Sequence, residues 1–227
     1  MKSIILLSGG LDSALVGMIA KKESSELHAI SFDYNQRHKI ELQCAKKIAK
    51  FLNVKNHLIV PIPSLGQIGG SALTDASINV QTAEKKEDLP PNIPLTFVPA
   101  RNTIFLSFAI AYAEVHKILR VYAGPHKDDH GGYPDCRPEF ISSFETMANL
   151  SMRMTTENNL KIKLIAPLLY MHKPDIVKLA AKMGLDFSIT HSCYSPIDNK
   201  ACGKCLTCFS RLDAFSKANI KDPIPYA

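Results

Sequence analysis

Residues 4–13 read Ile-Ile-Leu-Leu-Ser-Gly-Gly-Leu-Asp-Ser, an apolar run that stops at two adjacent glycines and restarts as a helical pattern. An uncharged run this short has the character of a buried strand. Beyond the glycines, Leu11, Ala14, Leu15, Met18 and Ile19 share one helical face that can pack on a sheet. The rhythm then recurs. Strands are predicted at 27–34, 57–60, 119–124 and 162–165, and helices at about 36–52, 101–117, 138–158 and 173–183. Strands alternating with helices predict an α/β fold with a doubly wound parallel sheet. Residues 61–98 interrupt this order, and Glu84–Pro94 shows no apolar period, which fits either a mobile lid over residues 66–96 or a solvated connection.

The last 35 or so residues abandon the alternation for a cysteine cluster. With 227 residues the chain suffices for one α/β domain at 1–190 and a small segment at 191–227 packed on it. Lysine and arginine exceed the acids by 6, a balance that suits an anionic ligand but lacks the basic run of a nucleic-acid surface. The N-terminus imitates a secretion signal, yet Gly9, Gly10 and Asp12 break its apolar stretch. The longest other uncharged run, Thr103–Ala113, is far short of the roughly 20 residues that span a bilayer. A cytoplasmic protein without membrane contact is expected. In a reducing compartment its six cysteines are better metal ligands than disulfide partners.

In open α/β sheets the first strand–turn–helix is a favoured ligand site. Gly9 and Gly10 let the backbone approach a phosphate, Ser8 and Ser13 add hydroxyls, and the helix start adds partial positive charge. Neither GxxxxGK[ST] nor GxGxxG occurs. A loop without its own lysine suits an enzyme from which pyrophosphate departs; the plainer reading is a turn that only joins strand to helix. "SGGLDS" at 8–13 resembles the signature of the PP-loop ATP pyrophosphatases. That resemblance implies a Rossmann-like, adenine-nucleotide α-hydrolase-like fold, ATP cleaved to AMP and pyrophosphate, and an adenylated substrate.

Cys193, Cys202, Cys205 and Cys208 lie at C-x8-C-x2-C-x2-C, spacing suited to a tetrahedral Zn²⁺ site. Four thiolates close the coordination sphere, so one structural zinc per chain is expected. An iron–sulfur cluster would use the same ligands, and a redox CxxC or disulfides are the other readings. Cys44 falls on the apolar face of its helix. The loop at 126–140 gathers His126, His130, Asp128 and Asp129, a spacing that fits a hydrogen-bonded loop better than a metal site, although Mg²⁺ accompanying ATP could borrow an aspartate.

Within the superfamily, "SGGLDS", "FDYNQRHKIE" (32–41), "FVPARN" (97–102), "GYPDCRPEF" (132–140) and "SCY…CGKCLTC" together resemble the 7-cyano-7-deazaguanine synthase family. The resemblance spans nearly the whole chain. It implies ATP-dependent conversion of 7-carboxy-7-deazaguanine and ammonium to the nitrile, in queuosine biosynthesis, by a homodimer. It places Ser8, Gly9, Gly10, Leu11, Asp12 and Ser13 at the ATP phosphates and Mg²⁺, with Arg101 and Asn102 reaching ATP or the acyl group. Asp135 would pair with the two-donor edge of the deazaguanine and Arg137 would grip the substrate carboxylate. Cys136 reads as a nucleophile or as a packed thiol, and Gln36, Arg37 and His38 as a substrate-facing fork or a helix start. Met1–Lys2 leads straight into the first strand with no glutaminase segment, so free ammonium is the expected nitrogen donor. Asn35 and Ala100 replace glycines usual in the family, and His191 a tryptophan. A PP-loop tRNA-thiolating or other adenylating enzyme is the alternative; a zinc-knuckle nucleic-acid binder would need more aromatic surface than 7% supplies.

Overall fold

In the computed structural model, which describes residues 1–37, 39–89 and 93–227, five parallel strands form one sheet. They are β1 (Lys2–Leu6), β2 (Glu26–Asp33), β3 (Asn56–Pro61), β4 (Arg120–Tyr122) and β5 (Lys163–Ile165), in the order β3-β2-β1-β4-β5. The expected His38 contribution lies outside the described residues. The side-chain period of two divides the sheet between two cores. Ile5, Leu27 and Ala29 enter one with α1 (Leu11–Lys22), α2 (Ile40–Phe51), α7 (Lys173–Lys182) and α8 (Leu206–Ala218). Ile4, Ile30 and Phe32 enter the other with α4 (Arg101–His116) and α5 (Pro138–Ser151). Helices on both faces make the doubly wound sheet that the alternation predicts.

Three elements differ from their predicted extents. α2 begins at Ile40, because Gln36 folds back on β2: its Oε1 accepts from Tyr34 N at 2.9 Å and its Nε2 donates to Phe32 O at 3.3 Å. The helix predicted through 138–158 breaks at Met152, whose extended backbone (ψ 134°) starts α6 (Arg153–Asn158). Glu114 Oε1 of α4 accepts from Met154 N at 2.8 Å, satisfying a donor that the break frees. The connection at 61–98 contains α3 (Pro63–Ile68) and is tied down at two places. Arg37 donates to Asp75 O, Ala76 O and Ile78 O, and Ala83 N donates to Lys204 O at 3.0 Å.

Two consecutive strands leave β1 towards β3, whereas β4 and β5 lie on its other side. The sense in which strands are added to the sheet therefore switches between β1 and β4, and a crevice opens beyond their carboxyl ends. The turn after Leu6 and the loop after Tyr122 both meet there. Among the described residues, no helix is long and apolar enough to cross a membrane.

Candidate active site

A cavity of about 470 Å³ occupies this crevice, a size that fits a small-molecule ligand. Its floor is the glycine turn. Gly9 has φ +94°, and a Cβ there would lie 2.1 Å from the Glu41 carbonyl oxygen, so the position admits only glycine. Ser13 Oγ accepts from Ser8 N at 3.2 Å and donates to Gly10 O at 3.0 Å, which holds the turn closed. Gly10 is the N-cap of α1 and offers no side chain to its first-turn N–H groups, which leaves them for an anion. Leu11 turns into the core and supplies only backbone to this region.

Across the turn, Lys173 Nζ is hydrogen-bonded to Asp12 Oδ2 and lies 3.3 Å from His126 Nε2. Burial would raise the Asp12 carboxyl, but Lys173 and His126 outweigh it and hold it below the usual range. Asp12 Oδ1 has no hydrogen-bond partner. Asp128 fixes the lysine from beneath: its Oδ2 accepts from Lys173 N at 2.8 Å and its Oδ1 meets His172 Nδ1 at 2.6 Å. The histidine–aspartate loop is thus a hydrogen-bonded support, the plainer of its two readings. Among the described residues, the group able to hold a metal is the cysteine cluster.

The opposite wall is aromatic. Phe32 and Phe105 stack with centroids 3.9 Å apart, and Tyr34 lies 5.6 Å from Phe105. Tyr133 and Tyr194 complete a slot that a flat heterocycle fits. Arg101, at the start of α4, faces Tyr34, Tyr194 and Tyr133 and keeps its charge. Asp135, which lines the cavity, caps α4: its Oδ2 accepts from Asn102 N at 3.0 Å. Asn102 Nδ2 donates to Cys136 Sγ at 3.3 Å. Burial pushes the Cys136 thiol well up, with Asp129 and Asp135 adding to the rise, so it is a packed thiol rather than a thiolate. Arg137 is exposed, donates from Nε to His130 O at 3.0 Å, and does not line the cavity.

Behind this wall the four cysteine sulfurs lie within 4.8 Å of one another, all buried. Cys202 Sγ is 3.9 Å from Cys208 Sγ, and Cys205 Sγ is 4.0 Å from Cys193 Sγ. A tetrahedral ion with sulfur bonds of about 2.3 Å needs edges of about 3.8 Å. Cys202 N and Ser195 N donate to Cys193 Sγ, and Lys204 N to Cys202 Sγ, as thiolate ligands require. The donor set fits a closed, structural metal site.

The family model described as "Queuosine biosynthesis protein QueC" matches residues 2–219. The chain belongs to this family. The 7-cyano-7-deazaguanine synthase of Solidesulfovibrio magneticus is 47% identical over 99% of this chain and 95% of its own length. That of Rickettsia felis is 49% identical over 99% of each. The solved NMN synthetase of Francisella tularensis shares the fold, with a TM-score of 0.50 at 14% identity over 96% of this chain and 83% of that one.

The family's sequence motifs converge here: Ser8, Gly10, Asp12, Ser13, Arg101, Asn102 and Asp135 all line one cavity. Lys173 was not foreseen: the turn has no lysine of its own, and one arrives from 161 residues away. A signal existed. A lysine at the first residue of a helix opposes the helix dipole, and such a position needs an anion nearby. Glu41 was also missed, although it ends one of the quoted motifs.

Proposed function

We propose that this chain is an ATP-dependent C–N ligase that converts 7-carboxy-7-deazaguanine and ammonium to 7-cyano-7-deazaguanine. The observation that carries the reading is that a phosphate-type turn and an aromatic slot open into one cavity, with Arg101 and Asp135 between them. In this reading Ser8, Gly9, Gly10 and Ser13, with the start of α1, hold the phosphates of ATP. Asp12, through Oδ1, which accepts no hydrogen bond, takes the accompanying Mg²⁺, and Lys173 meets the departing pyrophosphate. The deazaguanine lies along Phe105 and Tyr34, with Asp135 Oδ1 accepting from its two-donor edge.

A carboxylate resists amine attack until one oxygen becomes a leaving group. One carboxylate oxygen attacks the α-phosphorus, and pyrophosphate leaves. The nitrogen then adds to the acyl carbon, and AMP departs to give the amide. Activation of the amide oxygen by a second ATP, followed by loss of AMP, gives the nitrile. Fixed donors aimed at the phosphates need no reorganisation as charge develops, and Arg101 steadies the reacting carboxylate. A zinc ion held by Cys193, Cys202, Cys205 and Cys208 would tie the C-terminal segment together and take no part in the chemistry. The family resemblance supports a homodimer.

The test is an omission series read by mass spectrometry of the base. Native protein should form amide and then nitrile only when ATP, Mg²⁺, ammonium and 7-carboxy-7-deazaguanine are all present. Folded, metal-loaded protein that leaves the acid unchanged while sulfurating tRNA would favour the alternative adenylating enzyme.

A further inference from the structure

Five carboxylates line the cavity, and four are engaged. Asp12 is bound to Lys173, Asp128 to His172 and Lys173 N, Asp129 Oδ2 to His126 N at 3.0 Å, and Asp135 Oδ2 to Asn102 N. Glu41 has no hydrogen bond or ion pair among the described residues. It is the second residue of α2, and the carbonyl of its own backbone abuts Gly9, so the close approach that excludes a side chain at Gly9 brings Glu41 beside the phosphate turn. The groups that face it are Arg101 from α4, Tyr34 from the end of β2, Tyr194 from the C-terminal segment and Cys44 on its own helix. A free carboxylate therefore sits between the turn and the aromatic slot.

The proposed reaction, on which this inference rests, demands a proton acceptor at that place. Ammonium has no lone pair and must lose a proton before it attacks. When the new C–N bond forms and the C–O bond to the nucleotide breaks, the added nitrogen sheds a second proton. Conversion of the amide to the nitrile sheds the last two N–H protons as the activated oxygen leaves. Two other groups in the cavity are committed elsewhere. His126 stands at the phosphate end beside Lys173 and Asp129, and the Cys136 thiol is held protonated.

We propose that Glu41 is the proton acceptor for the incoming nitrogen, taking the proton that ammonium loses before it attacks and, at the second stage, the N–H protons released as the nitrile forms. Burial pushes its carboxyl up to about 7, with Arg101 opposing part of the rise. A base of that strength is matched to neutral pH, where positioned proton transfer contributes roughly 10²–10⁴-fold.

The experiment compares native protein with Glu41→Gln, using ammonium and, separately, hydroxylamine, which is already unprotonated at neutral pH. Amide plus nitrile from ammonium, and hydroxamate from hydroxylamine, are read by mass spectrometry between pH 6 and 9. The variant should lose about 100-fold or more with ammonium at pH 7 and keep hydroxamate formation within about fivefold, which also shows that it folds and activates the acid. Dehydration of a preformed amide substrate, which has no titrating nucleophile, supplies the pH profile: native protein should show an acidic limb near pH 7 that the variant lacks. Equal losses with both nucleophiles would make Glu41 a structural or activating residue and overturn the proposal. Ammonium-dependent turnover within threefold of native would also overturn it. Native protein that forms neither amide nor nitrile overturns the parent reading and this inference with it, whereas native turnover with an unimpaired variant sinks the inference alone.

Discussion

Ala100 carries φ +56° at the N-cap of α4, a left-handed conformation that strains any residue with a Cβ. Ala100→Gly should raise stability by about 0.5–1 kcal/mol in urea unfolding. Asn35, at φ +60°, tolerates this region better, so Asn35→Gly should stay within a few tenths. Glu41 makes a second residue-scale prediction. Partial burial pushes its carboxyl up from 4.5 to about 7 in the folded chain, with Arg101 opposing part of the rise. Between those pH values the folded state binds more protons than the unfolded state, so stability falls as pH rises through the window. The penalty above pH 7 reaches about 3 kcal/mol at most. Glu41→Gln should therefore raise the Tm at pH 8 and leave it nearly unchanged at pH 4. A residue that destabilises its own fold at working pH fits a place in the chemistry. The phosphate turn was legible because Gly9 and Gly10 are contiguous with a strand and a helix. Lys173 was not, since only the tertiary fold brings it to Asp12.

At the scale of elements, α7 is the part whose function lies at its first turn. Asp128 accepts from Lys173 N and so caps α7 from a distant loop. Asp128→Ala should cost about 1 kcal/mol in stability and loosen Lys173 over the turn, lowering kcat/KM at least tenfold in a steady-state assay with ATP varied. Unchanged kcat/KM would show that the lysine needs no such support. Periodicity located every helix of the main alternation, because apolar faces set by the sheet write that pattern into the sequence. It could not find the break at Met152, which depends on Glu114 of another helix reaching Met154 N. Nor could it find the late start of α2, which depends on Gln36 bonding back to the strand.

Over the whole molecule, the C-terminal residues are held by a buried ion pair as well as by their cysteines, and Arg211 also reaches back to Thr190. Arg211 is 2% exposed and donates to Asp222 through Nε and Nη2, at 2.7 and 2.9 Å, and to Thr190 through Nη1. Asp222→Ala would leave that guanidinium buried without its partner and should destabilise by about 3–5 kcal/mol. Chelation of the metal, or Cys205→Ser, should melt the segment first, because binding of a structural metal is folding free energy for the part it closes. Thermal unfolding followed with metal release checks this. The cysteine cluster was fully legible as four thiols with a short spacing that gather into one group able to hold a metal. The cavity that joins five separated motifs was legible only through the family resemblance, since no local pattern says that β1 and β4 are neighbours. The central claim is that this cavity activates a carboxylate by adenylation. The most direct measurement supplies 7-carboxy-7-deazaguanine labelled with ¹⁸O in both carboxylate oxygens, together with ATP, Mg²⁺ and ammonium, and follows the label. Adenylation should give nitrile with both labelled oxygens in AMP, one per activation; label in inorganic phosphate alongside ADP would rule adenylation out.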